Sequence, residues 1–547
     1  MLSWFGKSGG KPDHPMSSLS EAKSLLAELP EDDNFQALDE VTSWLGSITD
    51  TPGFRSKLRT GLTELLDETG RPFQTDMLKN YLAAPHLQDF QGTHIWHGMH
   101  NFSKALAAAY EACLAEWREE EIIPSDRKEQ VAQLCVRVLR ALAEQLKLEL
   151  MRYIDIGPAL WEQMFRWYSF AETRQLAETM VFAYPGHAIH TSPQRELVRA
   201  LMLYESSTDS LAPDQIEVSF RIAGRMVSHF DFTTERDASS EYFIDLSSPE
   251  APRIPDGSIP VTPSMRFFSA AGALPKIDEI IKQHERGAIS EERRFGSEFT
   301  PDGKLTVLKH LRVYWNMTQP HRLFERRGIS ALIEVAHGFR IISKLVTRVD
   351  LDQVAGLSNE DAGKLKEHAG IGVVEEEEVN SVAEMWSVID LSVNGIGAMI
   401  PRAAGGWVKI GDLCGIKAQH AQGWWVGAVR RLHADEHGIM HAGLEILTRK
   451  PLSVWLRILG KGAERVSNWE TSSGSFQYDY LPAILLPDEH NSYVNANILL
   501  EAGSYSPDNI YEVMLGEKSR EIRLTGLQAE GEDYELVSFR WLNQANK

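Results

Sequence analysis

Cysteine is scarce in this chain: three residues in 547, Cys113, Cys135 and Cys414. They have neither the even count of a disulfide framework nor the spacing of a thiolate metal site, which excludes both and makes a reducing cytoplasm the expected compartment. Basic residues are outnumbered, 56 Lys and Arg against 77 Asp and Glu, giving a formal net charge of −21. Such a field repels polyanions, so nucleic acid is not an expected partner and any anionic ligand needs a local basic cluster. No stretch approaches about 18 uninterrupted apolar residues. The opening Met1-Leu2-Ser3-Trp4-Phe5-Gly6 also lacks the apolar core of an export signal, so neither a membrane span nor secretion is expected.

Motifs of common enzymes are missing as well. Gly6-Lys7-Ser8 ends like a phosphate-binding loop, but Met1 stands where the first glycine belongs. Gly395-Ile396-Gly397 lacks the third glycine of a dinucleotide fingerprint, Ile400 standing there. With no nucleophile elbow either, no catalytic residue is assigned and no enzyme is expected. His94, His97 and His100 share helical spacing, yet no carboxylate or cysteine partner lies near, so they read as packing residues and no metal is expected. His433, His437 and His441 are four apart, but Asp435-Glu436-His437-Gly438 reads as a hairpin turn that keeps them off one face.

What is present is an ordinary globular composition, 43% hydrophobic and 24% charged, in a chain long enough for several domains at roughly 150 residues each. Residues 1–20 read as a flexible leader and 21–300 as a helical scaffold or interaction domain. In 131–150, Val131, Leu134, Cys135, Val138, Leu139, Leu142 and Leu146 form one apolar helix face. Ala159–Tyr168 is bulky enough for a buried helix, and 231–262 reads as a long loop or short strands. A helix over 304–317 leads into a change of period: Ile329, Ala331, Ile333 and Val335 alternate with Ser330, Leu332 and Glu334 as in a strand. An acidic stretch over about 344–384, with Glu375–Glu378, reads as an insertion. Short apolar runs at 386–390, 407–410, 424–432 and 439–447 then suggest a small barrel, with a closing helix over Pro451–Leu459 and a further small β domain over 461–547.

Two motifs bracket the first part of that barrel. His321-Arg322-Leu323-Phe324-Glu325-Arg326-Arg327 carries R-x-x-x-R, and Asp390-Leu391-Ser392-Val393-Asn394-Gly395 carries D-x-S-x-x-G. In this order, with strands beside them, they resemble the signature of PilZ domains, a family of bacterial cyclic di-GMP receptors. The runs 408–412, 425–431 and 441–447 resemble that family's later strands. The resemblance implies a cyclic di-GMP site formed by Arg322, Arg326, Arg327, Asp390, Ser392 and Gly395, with Arg326 and Arg327 as alternative second arginines, and it implies an intercalated ligand dimer.

The chemistry fits. A guanidinium fork matches guanine O6 and N7 or phosphate oxygens, a carboxylate accepts from guanine N–H groups, and glycine permits close approach. The expectation is therefore a multidomain α+β protein: a helical N-terminal domain, a PilZ-like small antiparallel β-barrel over 305–460, and a small β-rich C-terminal domain. Its expected role is a cytoplasmic receptor that needs no cofactor, binds cyclic di-GMP, and relays binding to a protein partner through the helices. The alternative is a helical interaction scaffold whose barrel has lost ligand binding.

Overall fold

The computed structural model describes residues 12–83, 90–186, 189–237, 239–256, 259–286, 295–316, 325–353, 383–402, 405–419, 421, 423–459, 480–487, 496–507, 509–515 and 518–542. The chain divides into two compact units, 1–321 and 322–547. The protein is multidomain α+β, helices first and two closed six-stranded barrels after them.

In the first unit α1 (Leu19–Leu26) packs on α3 (Ser56–Ala83), α2 (Asn34–Asp50) and α3 pack on α4 (Phe90–Leu114), and α4 and α6 (Pro158–Thr173) pack on α5 (Lys128–Met151), in one apolar core. Met16, inside the expected leader, is fully buried in this core. Helix α5 was expected to bury one face and is buried on nearly all sides. Its interior charges are all matched: Arg137 donates to Glu68, the Tyr110 hydroxyl and the Ala183 carbonyl at 2.8–3.1 Å, and the Lys147 ammonium meets Glu144 at 2.6 Å and Glu217 at 2.8 Å. Pairing of this kind is what allows charge inside a core. Trp161, Trp167 and Tyr168 of α6 are buried, as their bulk suggests.

A short hairpin, β1 (Val181–Phe182) with β2 (His190–Thr191), precedes α7 (Pro193–Tyr204) and α8 (Pro213–Met226). Ser192 caps α7 with Pro193 at its first position, a combination that satisfies an orphan N–H and presets φ. The polar stretch after residue 230 folds into a sheet of order β3-β5-β4, with β3 (Asp231–Thr233), β4 (Tyr242–Asp245) and β5 (Met265–Ser269). Helices α9 (Leu274–Glu285) and α10 (Pro301–Tyr314) complete the unit. Helix α10 was expected to introduce the barrel, but Val307, Leu308, Leu311 and Trp315 lie in the helical core. Among the histidines of α4, His94 stacks on Phe35 at 3.8 Å and His100 stacks on Trp96 and bonds Glu149 at 3.1 Å.

The second unit starts with β6 (Arg327–His337), then α11 (Phe339–Gln353), β7 (Glu384–Leu391), β8 (Gly395–Met399), β9 (Leu413–Ala418), β10 (Trp425–Ala434) and β11 (Met440–Thr448). The first barrel closes in the order β10-β11-β8-β7-β6-β9. The expected alternation along β6 holds only in its second half, where Ile333 and Val335 are buried. A bulge between Gly328 and Ala331 breaks the period, leaving Ile329 exposed. Residues 408–412, expected as strand, form the turn before β9, and of the proposed insertion 344–353 continues α11 while 354–382, with Glu375–Glu378, lies outside the described residues. His433 and His441 oppose each other across the β10–β11 hairpin, contrary to the expectation that the turn would part them.

Residues 452–459, expected as a closing helix, are instead the strand β12 (Leu452–Leu459) of the second barrel. Apolar residues and Arg457 alternate there in a way a helical reading overlooked, and Val454 and Leu456 are buried. With β13 (Tyr480–Leu486), β14 (Asn497–Glu501), β15 (Ile510–Leu515), β16 (Lys518–Glu530) and β17 (Tyr534–Trp541) it closes in the order β12-β13-β14-β17-β16-β15. Helix α11 fills the space between the barrels: Phe339, Ile342 and Leu345 share one core with Leu413 and Trp424 of the first and Ile484 and Leu499 of the second. Lys409 also meets Glu532 at 2.7 Å, and the Tyr534 hydroxyl donates to the Gly411 carbonyl at 3.0 Å.

Candidate ligand site on the first barrel

The arginine segment enters the described structure at Glu325, so Arg322 lies outside the described residues. Arg326 precedes β6 and Arg327 is its first residue, exposed and in register with Leu391. Asp390 stands on β7 between two glycines, Gly328 across one ladder and Gly397 across the other. Its Oδ1 and Oδ2 meet Nη1 of Arg326 at 2.8 and 2.9 Å. The two motifs, 64 residues apart at this pair, thus meet at one end of the barrel. Arg326, not Arg327, is the arginine that reaches Asp390.

Ser392 and Gly395 bracket the β7–β8 turn. The Ser392 N–H donates to the Gly395 carbonyl at 2.8 Å, and its hydroxyl leans toward the same oxygen at 3.4 Å. Gly395, expected to permit a tight turn and close approach of ligand, is not among the positive-φ glycines. Its small size matters instead: a Cβ there would lie 3.2 Å from the Ser392 hydroxyl.

Two contributors to the site were missed in the sequence, and so was one network elsewhere on the barrel. Gly397 was set aside with a failed dinucleotide motif, yet a Cβ on it would lie 2.6 Å from Asp390 Oδ1 and 2.8 Å from its Cγ, so the carboxylate occupies the space where a side chain would stand. Arg449, just past β11, donates from Nη2 to the Val393 carbonyl at 2.5 Å with its guanidinium 5.0 Å from the centre of the Trp425 ring. Arg449 thereby pins the turn, and the Ile446 N–H donates to Asn394 O at 2.9 Å beside it. Nothing in the local sequence of Arg449 signals this, because the contact is set by strand order. Away from the site, at the other end of β7, Glu384 accepts from the indoles of Trp386 at 2.9 Å and Trp407 at 3.1 Å and from the Gly405 N–H at 3.0 Å, beside a stack of His337 on Trp407 at 4.4 Å. Burial holds the His337 imidazole below its ordinary pKa, against the pull of Glu384 and Asp533.

The site is thus an arginine–aspartate pair over a glycine-lined strand, flanked by exposed Arg327 and by Arg449, a cationic rim on an acidic protein. Such a rim can hold an anion with guanidinium geometry, and it contains no nucleophile–base pair among the described residues. No curated protein and no solved structure matches the chain. Family comparison does: residues 20–237 match the N-terminal domain of the cyclic-di-GMP receptor FimW, and residues 470–542 match the FimW C-terminal beta-barrel domain. On either side of the barrel that carries the arginine–aspartate pair, the chain therefore matches, in order, the two terminal domains of a cyclic-di-GMP receptor family, FimW.

Proposed function

We propose that this chain is a cytoplasmic cyclic di-GMP receptor, not an enzyme, and that the messenger binds at the end of the first barrel through Arg322, Arg326, Arg327 and the Asp390–Gly395 turn. The observation that carries the reading is the meeting of Arg326 with Asp390, which joins two motifs distant in sequence at one spot. The match of both chain ends to a cyclic-di-GMP receptor family supports the same ligand. The closed antiparallel barrel that begins directly after the arginine segment supports a PilZ-like reading. Three free, buried cysteines favour a reducing compartment.

Binding engages the arginine segment at the end of the barrel, and the helical unit carries the response to a protein partner. The test is calorimetric titration of the full chain with cyclic di-GMP, with GTP as control and an Arg322→Ala/Arg326→Ala variant alongside. Micromolar binding, about −8 kcal/mol, that the variant loses is the expected result. Absence of heat and of any thermal shift at saturating nucleotide refutes it and leaves a helical scaffold with a non-binding barrel.

A further inference from the structure

The environment of Asp390 suits a role other than reading a base. Its cross-strand neighbours on both sides are glycines, so no side chain competes for the space around its carboxylate. That carboxylate lies directly over Gly397, where a Cβ would fall 2.6 Å from Oδ1. Oδ2 accepts a hydrogen bond from Arg326 Nη1 at 2.9 Å, and Oδ1 lies 2.8 Å from the same nitrogen without hydrogen-bond geometry. A two-nitrogen fork would engage Nε and Nη2 or both terminal nitrogens. Here, among the described residues, no acceptor is paired with Nε or Nη2 of Arg326. Electrostatics point the same way, because a bare carboxylate facing a dianion is repulsive whereas one matched by a guanidinium is not.

We propose that Asp390 is a positioning residue: it clamps Arg326 through Nη1 over Gly397, so that the side-on Nε–Nη2 edge is presented as the two-donor fork for a phosphate or a guanine O6/N7 edge. This replaces the acceptor role expected for Asp390, and it rests on the receptor reading above. Gly397 is part of the device, since any larger residue displaces the carboxylate. The clamp fixes one guanidinium before ligand arrives and lowers the ordering cost of binding.

The experiment titrates the full chain with cyclic di-GMP and with its inosine analogue, which lacks the guanine 2-amino group. The proteins are wild type, Asp390→Ala, Gly397→Ala, Arg326→Ala and the pairs Asp390→Ala/Gly397→Ala and Arg326→Ala/Asp390→Ala, each with its melting curve. A carboxylate reading guanine takes N1–H and the 2-amino group together, so its loss would erase preference for guanine. A positioning carboxylate predicts otherwise. Asp390→Ala weakens both nucleotides by the same factor, roughly tenfold or more, and leaves their ratio unchanged. Arg326→Ala/Asp390→Ala binds no worse than Arg326→Ala alone. Gly397→Ala weakens binding in the wild-type background and not in the Asp390→Ala background, where the collision partner is gone and misfolding cannot be the cause. A collapsed guanine preference in Asp390→Ala, or losses that multiply in the double variants, overturns the proposal while leaving the receptor reading intact. A wild type that binds neither nucleotide overturns both.

Discussion

Replacing Asp412 by asparagine should stabilise the second unit, and do so more as pH rises. Asp412 ends the turn before β9, and its Oδ2 accepts the Lys409 N–H at 2.8 Å. Burial, ahead of the nearby Glu532 and Asp533 charges, pushes its carboxyl from 3.8 up to about 7, although Lys409 acts against this. A carboxyl whose folded-state pKa lies above its unfolded value contributes stability below the unfolded value and loses it as pH climbs toward the folded one. The window is therefore about pH 4 to 7. With about 1.4 kcal/mol for each tenfold change in proton affinity, the full penalty is about 4 kcal/mol above neutrality and about 2 kcal/mol near pH 5. Asparagine keeps an oxygen for the Lys409 N–H and has no charge to desolvate. At about 2–4 °C per kcal/mol for a domain of this size, the melting temperature of the second unit should rise by up to roughly 8–16 °C near pH 8 and by about half that near pH 5. Differential scanning calorimetry across that range reads it. A shift within about 1 °C at pH 8, or equal shifts at both pH values, refutes the reasoning.

Glu384→Ala leaves the two indole N–H groups and the Gly405 N–H without their acceptor; a loss of about 3 kcal/mol follows, and Glu384→Gln, which retains one acceptor oxygen, should fall between the two in urea unfolding. Trp315 is fully buried, with its indole N–H on the Ser206 hydroxyl at 3.0 Å, so Trp315→Ala should cost the helical unit about 3–5 kcal/mol while calorimetric titration shows nucleotide binding by the barrel unchanged. Arg449→Ala removes the bond to Val393 and the contact with Trp425, about 1 kcal/mol together, and should weaken cyclic di-GMP about fivefold without moving the melting temperature by more than a few degrees.

The class of each element was legible where a period was long or a motif compact. Helix α5 is plain in the spacing of Val131 to Leu146, and the halves of the site are plain as short strings. Three things were not. Where a bulge interrupts β6, alternation read from Ile329 assigns the wrong residues to the buried face. The strand Leu452–Leu459 is too short for its period to be told from a helical turn, and only its ladders with β13 and β15 decide. Gly397, Arg449 and Glu384 act through partners brought near by strand order, a property of closure that no local pattern encodes. The charges inside α5 were hidden for a related reason, since a buried arginine is recognisable only once Glu68 and Tyr110 are beside it.

How binding could leave the barrel follows from which parts of it are pinned. Strand β6 is hydrogen-bonded to β7 from Arg327 to Val335 and to β9 from Ile333 to His337, and it runs into α11, whose apolar face is shared by both barrels. A strand held on both sides and anchored at its far end resists a local perturbation, because bending it breaks ladders that ligand contacts do not replace. On the proposed reading β6 itself is therefore not the element that responds to ligand. The messenger can shift a conformational equilibrium only by its difference in affinity for the two states, about 1.4 kcal/mol for each tenfold. One arginine already clamped by Asp390 contributes little to that difference, since it is in place in both. Arg326→Ala should therefore weaken cyclic di-GMP binding in calorimetry without removing the conformational response at saturating nucleotide.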